Sequence, residues 1–193
     1  MKPVENLVRE NIKNLKPCAH GGEVLDAAGK TGLKREEILD FSSSVNPLGP
    51  SKKALQAAKD SFNEIPAYPD SNCNQLREAI ASRFSNLTKR NVVVGNGSTE
   101  LMYLFAEAFL RKGETALIPA PSFGEYEGAV KKTGENIRFA KLNSGFNVDA
   151  AAFTEEMADA KIVFLCNPNN PTSLLIPAAD LTAILNHALT QDT

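Results

Sequence analysis

Three short segments of this 193-residue chain combine polar or aromatic residues with glycine or proline in patterns that could hold a small anionic, aromatic ligand. The first is Gly95-Asn96-Gly97-Ser98-Thr99-Glu100. Its glycines permit a tight turn, and a helix starting there would offer free N–H groups and the positive end of its dipole to an anion. Ser98 and Thr99 add hydroxyl donors, although either serves equally as an ordinary helix N-cap. The second segment runs Cys166-Asn167-Pro168-Asn169-Asn170-Pro171-Thr172-Ser173. Its prolines stiffen the loop, and Asn169 or Asn170 offers an amide able to donate to a phenolate or carbonyl oxygen; the plainer reading is a rigid Asn-Pro turn. The third is Pro121-Ser122-Phe123-Gly124-Glu125-Tyr126, where Phe123 beside a glycine either stacks on a flat heterocycle or fills the core.

Other residues that could do chemistry are isolated. Tyr68 in Tyr68-Pro69-Asp70 reads as an exposed turn tyrosine. His20, in His20-Gly21-Gly22, has no second histidine or cysteine at ligand spacing, so no metal site is expected. His187 falls in a terminal helical stretch. The chain carries no Gly-x-Ser-x-Gly elbow, phosphate-binding Walker loop or zinc pattern.

The elements that would position these segments follow from hydrophobic period and breakers. Val4, Leu7, Val8, Ile12 and Leu15 fit one amphipathic N-terminal helix, closed by the loop from Pro17 to Gly22. Ile38 to Phe41 reads as a brief extended piece entering the Ser42–Pro50 loop. Ser51 caps a helix carrying Ala54, Leu55, Ala58 and Phe62, and a second helix runs through Leu76, Ile80 and Phe84. From Asn91 onward, short apolar runs alternate with helical stretches. Val92–Val94, Thr115–Pro119, Ile137–Ala140 and Ile162–Leu165 read as strands. Leu101 to Phe109, Tyr126 to Lys132, Asp149 to Met157 and the stretch opened by Pro177 read as helices. That alternation predicts an α/β fold with a mostly parallel sheet and right-handed crossovers. All three candidate segments then fall at strand carboxyl ends, where open parallel sheets collect ligands.

With 42% hydrophobic residues the chain is long enough to bury a core. A net charge of −2 argues against nucleic acid or an anionic membrane as partner. Cys18, Cys73 and Cys166 form no Cys-x-x-Cys pair, which suits a reducing, cytoplasmic location. No apolar run approaches the roughly 20 residues that span a bilayer, and the charged start lacks a signal peptide's apolar centre.

Taken in order, the glycine-rich turn, the strand-end aromatic and Asn-Pro-Asn-Asn-Pro-Thr resemble fold-type I pyridoxal-phosphate enzymes of the histidinol-phosphate aminotransferase branch. Within it the chain is most similar to threonine-phosphate decarboxylases. That closer likeness is carried by Ala19-His20-Gly21-Gly22, Leu39 to Gly49, Tyr68-Pro69-Asp70, Gly95 to Glu100, Phe123 to Tyr126 and Pro168 to Leu175. The resemblance implies a partial large domain at 51–193 preceded by an arm and substrate-loop segment at 1–50. It implies pyridoxal 5'-phosphate as cofactor, with Gly97, Ser98, Thr99 and Glu100 at its phosphate, Phe123 on its ring and Asn170 at its ring oxygen. Tyr68 would reach the cofactor phosphate of the other subunit of a homodimer, and His20, Ser44, Asn46 and Gly49 would border a phosphorylated amino acid.

The implied reaction is decarboxylation of L-threonine O-3-phosphate for cobalamin synthesis, the cofactor acting as an electron sink. Histidinol-phosphate amino-group transfer, or a non-catalytic fragment binding phosphate ligands or a partner, are the alternatives. Ser173 stands where the family usually has glycine. The family's Schiff-base lysine, ring-nitrogen aspartate and carboxylate-reading arginine match nothing in the sequence, and the last lysine is Lys161. No catalytic residue is therefore assigned, and the expectation is the N-terminal half of such an enzyme, inactive alone.

Overall fold

A computed structural model describes residues 3–18 and 20–191. Ala19, which opens the His-Gly-Gly motif, lies outside the described residues, as do Met1 and Lys2 of the expected N-terminal helix. In chain order the elements are helices α1 (Glu10–Lys13), α2 (Val24–Thr31), α3 (Lys52–Asp60), α4 (Asn74–Ala81) and α5 (Gly97–Phe109), then strand β1 (Thr115–Ala120). There follow α6 (Gly124–Thr133), β2 (Asn136–Lys141), α7 (Ala150–Glu156), β3 (Ala160–Val163) and α8 (Ala178–Gln191). They form two compact units, Met1–Cys18 with Gly95–Thr193, and Ala19–Val94.

The first unit, with α1 and everything from α5 onward, is an α/β layer. Its strands are parallel in the order β2-β1-β3, with Leu117 level with Arg138 and with Val163. Between Thr115 and Ala116 the partner on β3 jumps from Ala160 to Ile162, so Lys161 is the extra residue of a bulge.

Period-two alternation explains the core. Ala116 and Ile118 of β1, with Ile162 and Phe164, pack under Ala106 of α5 and Tyr126, Ala129 and Val130 of α6. Leu117 points the other way, onto Phe153, Met157 and Ile184 from the α7 and α8 side. Buried on both faces, the central strand reads as an unbroken apolar run rather than an alternating one. Gly134 at φ +86 closes α6, and Asp149 caps α7 by accepting the N–H groups of Ala151 and Ala152, each at 3.1 Å.

The second unit is helical, built from α2, α3 and α4 with 310 turns at Arg35–Glu37, Phe62–Glu64 and Lys89–Asn91. Ser51 caps α3, its hydroxyl accepting from Ala54 N–H at 3.5 Å. The Arg77 guanidinium donates to the carbonyls of Lys89 and Val92, tying the end of this unit to α4.

Three expected elements differ. The N-terminal segment is a 310 turn at Val4–Leu7 followed by α1, because Arg9 at φ −58, ψ 143 interrupts the helical run. Ile38–Phe41 forms no strand, and Phe41 is 88% exposed. Val92 is extended, but Val92–Val94 forms no strand: a strand needs a ladder partner, and no described strand lies beside it.

Candidate functional site

The helix pair α5 and α6 sets the direction of the site. Their contacts advance in step. Tyr103 of α5 meets Glu125 and Gly128 of α6, and Glu107 pairs with Lys132 at 2.6 Å. The helices therefore run the same way. Since α6 begins just past the carboxyl end of β1, the first turn of α5 lies at that same edge of the sheet.

Two glycines on α6 allow this close approach. A Cβ on Gly128 would stand 2.6 Å from the Tyr103 hydroxyl, and one on Gly124 would stand 2.6 Å from Cys18 Sγ. Between them Glu125, only 4% exposed, receives a hydrogen bond from Tyr103. Burial pushes the Tyr103 phenol up to about 12, with the Glu125 carboxylate adding to it. Burial first, then Glu125, also raises the Cys18 thiol.

At the start of α5, Gly97 holds φ +77 and its N–H donates to the Gly95 carbonyl at 2.9 Å. The N–H groups of Ser98 and Thr99 fall in the first helical turn, where no intrahelical acceptor exists. Ser98 is exposed and Thr99 half-buried. Glu100 turns back, its carboxylate accepting the Asn96 N–H at 2.6 Å. A Cβ on Gly95 would meet that carboxylate at 2.7 Å, so a larger residue there would push the Glu100 side chain out of this hydrogen bond. The side chain of Glu100 thus holds the turn shut, and the donors offered outward are neutral hydroxyl and amide groups.

The other two segments are joined. Asn169 Nδ2 donates to the Pro121 carbonyl at 3.1 Å and to Thr172 Oγ1 at 2.9 Å, while its Oδ1 accepts from Ser122 Oγ at 2.9 Å. Phe123 and Asn170, the residues next in sequence to this bridge, are thereby brought to one place. The peptides preceding Pro121, Pro168 and Pro171 are cis. Phe123 is half-buried, its ring edge-on to Tyr126 at 5.7 Å. Tyr126 in turn stacks on Phe164 at 4.8 Å, and burial, with Cys166 beside it, pushes its phenol up to about 12. Asn170 is exposed; its N–H donates to Cys166 Sγ at 3.4 Å, and among the described residues nothing engages its side-chain amide. Met102, Phe123 and Cys166 all pack on the same apolar cluster, so α5, the Phe123 loop and the Asn170 loop share one end of the layer.

The donor set suits pyridoxal phosphate: neutral donors at a helix start for the phosphate, an aromatic face, and an unengaged amide for the ring oxygen. Of the two asparagines that spacing left open, Asn169 is consumed by protein contacts and Asn170 is not. The bridging role of Asn169 and the buried Glu125 were missed by sequence reasoning. Both depend on contacts between segments far apart in the chain, and a lone Glu in a helix's first turn carries no signal of burial.

In the helical unit, the remaining predicted residues lie in exposed loops. Gly21 packs so closely that a Cβ there would fall 1.8 Å from the Ser42 carbonyl oxygen, and Gly22 N–H donates to Ser42 Oγ at 2.7 Å. Asp40 accepts from Ser42 and Ser43, which holds its carboxyl below the usual range. His20 and Ser44 lie beside this knot, His20 exposed and Ser44 in the same loop. Asn46 closes its own turn: Oδ1 accepts from Leu48 N–H at 3.0 Å, Nδ2 donates to the Gly49 carbonyl at 3.1 Å, and Gly49 takes φ +73. Tyr68 is 95% exposed. No helix of the described residues is long and apolar enough to cross a membrane.

Comparison with known proteins gives this geometry a lineage. The sequence matches the family described as aminotransferase class I and II over residues 36–192. It is 34% identical over 179 residues to the histidinol-phosphate aminotransferase of Moorella thermoacetica, covering 92% of this chain and 45% of that protein. With the enzyme of the same name from Methanocaldococcus jannaschii, identity is 31% over 187 residues, covering 95% and 50%. The chain spans about half the length of the curated relatives it matches. Among solved structures, histidinol-phosphate aminotransferase from Clostridium acetobutylicum superposes with a TM-score of 0.70 at 31% identity, over 78% of this chain and 44% of that one. The enzyme of that name from Sinorhizobium meliloti, in complex with pyridoxal-5'-phosphate, shares the fold at a TM-score of 0.79 and 16% identity, over 93% and 47%.

These relatives overturn the expectation of threonine-phosphate decarboxylation. Within the His20-Gly21-Gly22 element that suggested it, Gly21 is required by its approach to the Ser42 carbonyl and Gly22 takes φ +86, so both glycines have a packing or backbone reason of their own. The chain belongs to the class I and II aminotransferase family, fold-type I enzymes whose cofactor is pyridoxal 5'-phosphate.

Proposed function

We propose that the protein takes part in amino-group transfer on histidinol phosphate or a closely similar phosphorylated amine, using pyridoxal 5'-phosphate. The observation that carries this reading is the meeting of the α5 start, Phe123 and Asn170 at one end of the parallel sheet, in a chain 34% identical to a histidinol-phosphate aminotransferase. When bound, the cofactor supplies an electron sink for the carbon bearing the substrate amine.

The residues divide the holding of that cofactor. Gly97 lets the backbone approach the phosphate, and Ser98 and Thr99 supply hydroxyl and N–H donors at the positive end of α5. Glu100 keeps the turn closed without adding a donor. Phe123 offers an aromatic face, and Asn170 donates its side-chain amide to the ring oxygen. In the helical unit, His20, Ser44, Asn46 and Gly49 form the loops proposed to contact the phosphorylated substrate. Tyr68, almost fully exposed, is proposed to reach a cofactor phosphate in a second copy of a homodimer.

The test is amino-group transfer from L-histidinol phosphate to a 2-oxo acid by the protein as its gene expresses it, with pyridoxal phosphate supplied. Transfer that is lost in Asn170→Ala and weakened in Ser98→Ala supports the reading. Absence of both cofactor binding and transfer rejects it.

A further inference from the structure

We propose that Asn169 is a positioning residue: a cross-loop amide that sets the ring-stacking Phe123 and the ring-oxygen donor Asn170 at a fixed distance and angle. This rests on the cofactor-site reading above and assigns a role that the family pattern of the loop does not state.

The geometry is specific to one of two consecutive asparagines. Both side-chain N–H groups of Asn169 are used, one on the Pro121 carbonyl and one on Thr172 Oγ1, and its oxygen accepts from Ser122. Its backbone is held too: N–H donates to the Leu174 carbonyl at 2.8 Å, and its carbonyl accepts the Ser173 N–H at 2.6 Å. Asn170, one residue on, keeps its side-chain amide outward. The bridge joins segments 47 and 48 residues apart in sequence.

Each end of the bridge is one residue from the group it aims. Ser122 precedes Phe123, and Asn169 precedes Asn170, so a shift at the bridge passes into both contacts with little backbone to absorb it. Contacts to the face and to the edge of one flat ring must agree to roughly 0.5 Å to act together. An aspartate at 169 is nearly isosteric but cannot serve. It keeps the acceptor for Ser122, loses both donations, and sets a negative oxygen against the Pro121 carbonyl.

The experiment titrates the wild-type protein, Asn169→Asp, Ser122→Ala and both changes in a Phe123→Ala background with pyridoxal 5'-phosphate. It reads affinity and the circular dichroism induced in the cofactor's absorption band, with far-ultraviolet dichroism as the folding control. The expected result is about tenfold weaker binding in Asn169→Asp with an altered induced signal, and about threefold weaker binding in Ser122→Ala, the milder cut. In the Phe123→Ala background each penalty should fall by more than half, because the contact being aimed is already gone. Wild-type affinity and signal in Ser122→Ala and in a folded Asn169→Asp would overturn the inference, as would penalties unchanged by Phe123→Ala. If Asn169→Asp does not fold, Ser122→Ala and its double variant decide alone. Failure of the wild-type protein to bind pyridoxal phosphate at all would instead reject the cofactor-site reading.

Discussion

Ser173 adopts φ +62, a left-handed conformation that a side chain makes costly and that glycine takes freely. Its N–H is already committed to the Asn169 carbonyl, so the turn holds Ser173 there rather than letting it relax. Ser173→Gly should therefore stabilise the protein, the relief of about 1–2 kcal/mol being partly offset by greater freedom in the unfolded chain, for a net gain of about 0.5 kcal/mol. A small rise in thermal midpoint checks this; a fall would show that the serine side chain contributes more than its backbone costs. Gly21 presents the opposite case. A Cβ 1.8 Å from the Ser42 carbonyl cannot be accommodated without moving backbone. Gly21→Ala should loosen the loops around His20 and Ser42 at a cost of about 2 kcal/mol. Faster amide exchange confined to those loops is the expected signature, and unchanged protection there would contradict it.

At the scale of elements, the α5–α6 contact is a polar seam within an apolar layer. Tyr103 donates to buried Glu125, and Lys132 sits over the Tyr103 ring at 5.3 Å while pairing with Glu107. Tyr103 and Tyr126 both have phenols pushed up to about 12 from an ordinary 10.0, burial being the larger cause in each. The folded state thus holds these protons more tightly than the unfolded chain. Their contribution to stability is fully present below pH 10.0 and is lost as pH rises toward about 12. In a Tyr68→Phe chain, where these are the remaining tyrosines, phenolate absorbance should appear only near that upper limit and together with loss of helical dichroism. Phenolate formation near 10.0 with the fold intact would show that the seam is open to solvent.

For the molecule as a whole, the side of β3 that pairs with no strand among the described residues lies beside an apolar groove lined by Phe105, Phe109, Ile162, Leu181, Ile184 and Leu185. Phe105, Phe109 and Leu185 are substantially exposed, and the two phenylalanine rings lie 4.6 Å apart. An open strand edge next to apolar surface is an adhesive combination. The isolated 193-residue chain should self-associate at micromolar concentration, and Leu185→Lys should shift it toward smaller species in size-exclusion chromatography. A wild-type chain that runs as a monomer at all concentrations would disprove this.

What the sequence determined by itself was whatever depends on near neighbours. Period, breakers and caps located β1, β2, α5 to α8 and the caps at Ser51 and Asp149, because each is decided within a few residues. The order of three short motifs was enough to identify the fold type and its cofactor. Tertiary structure decided the rest. Val92–Val94 has a strand's composition and no ladder partner among the described residues, and Arg9 breaks a helix that the apolar spacing allowed. Which of two adjacent asparagines faces outward was invisible to spacing, since Asn169 is claimed by Pro121 and Ser122 from across the sheet edge. Glu125 looked like any first-turn acid until two glycines let Tyr103 and Cys18 close over it. Gly21 is set by where the Ser42 carbonyl lies, a long-range contact that no local pattern announces.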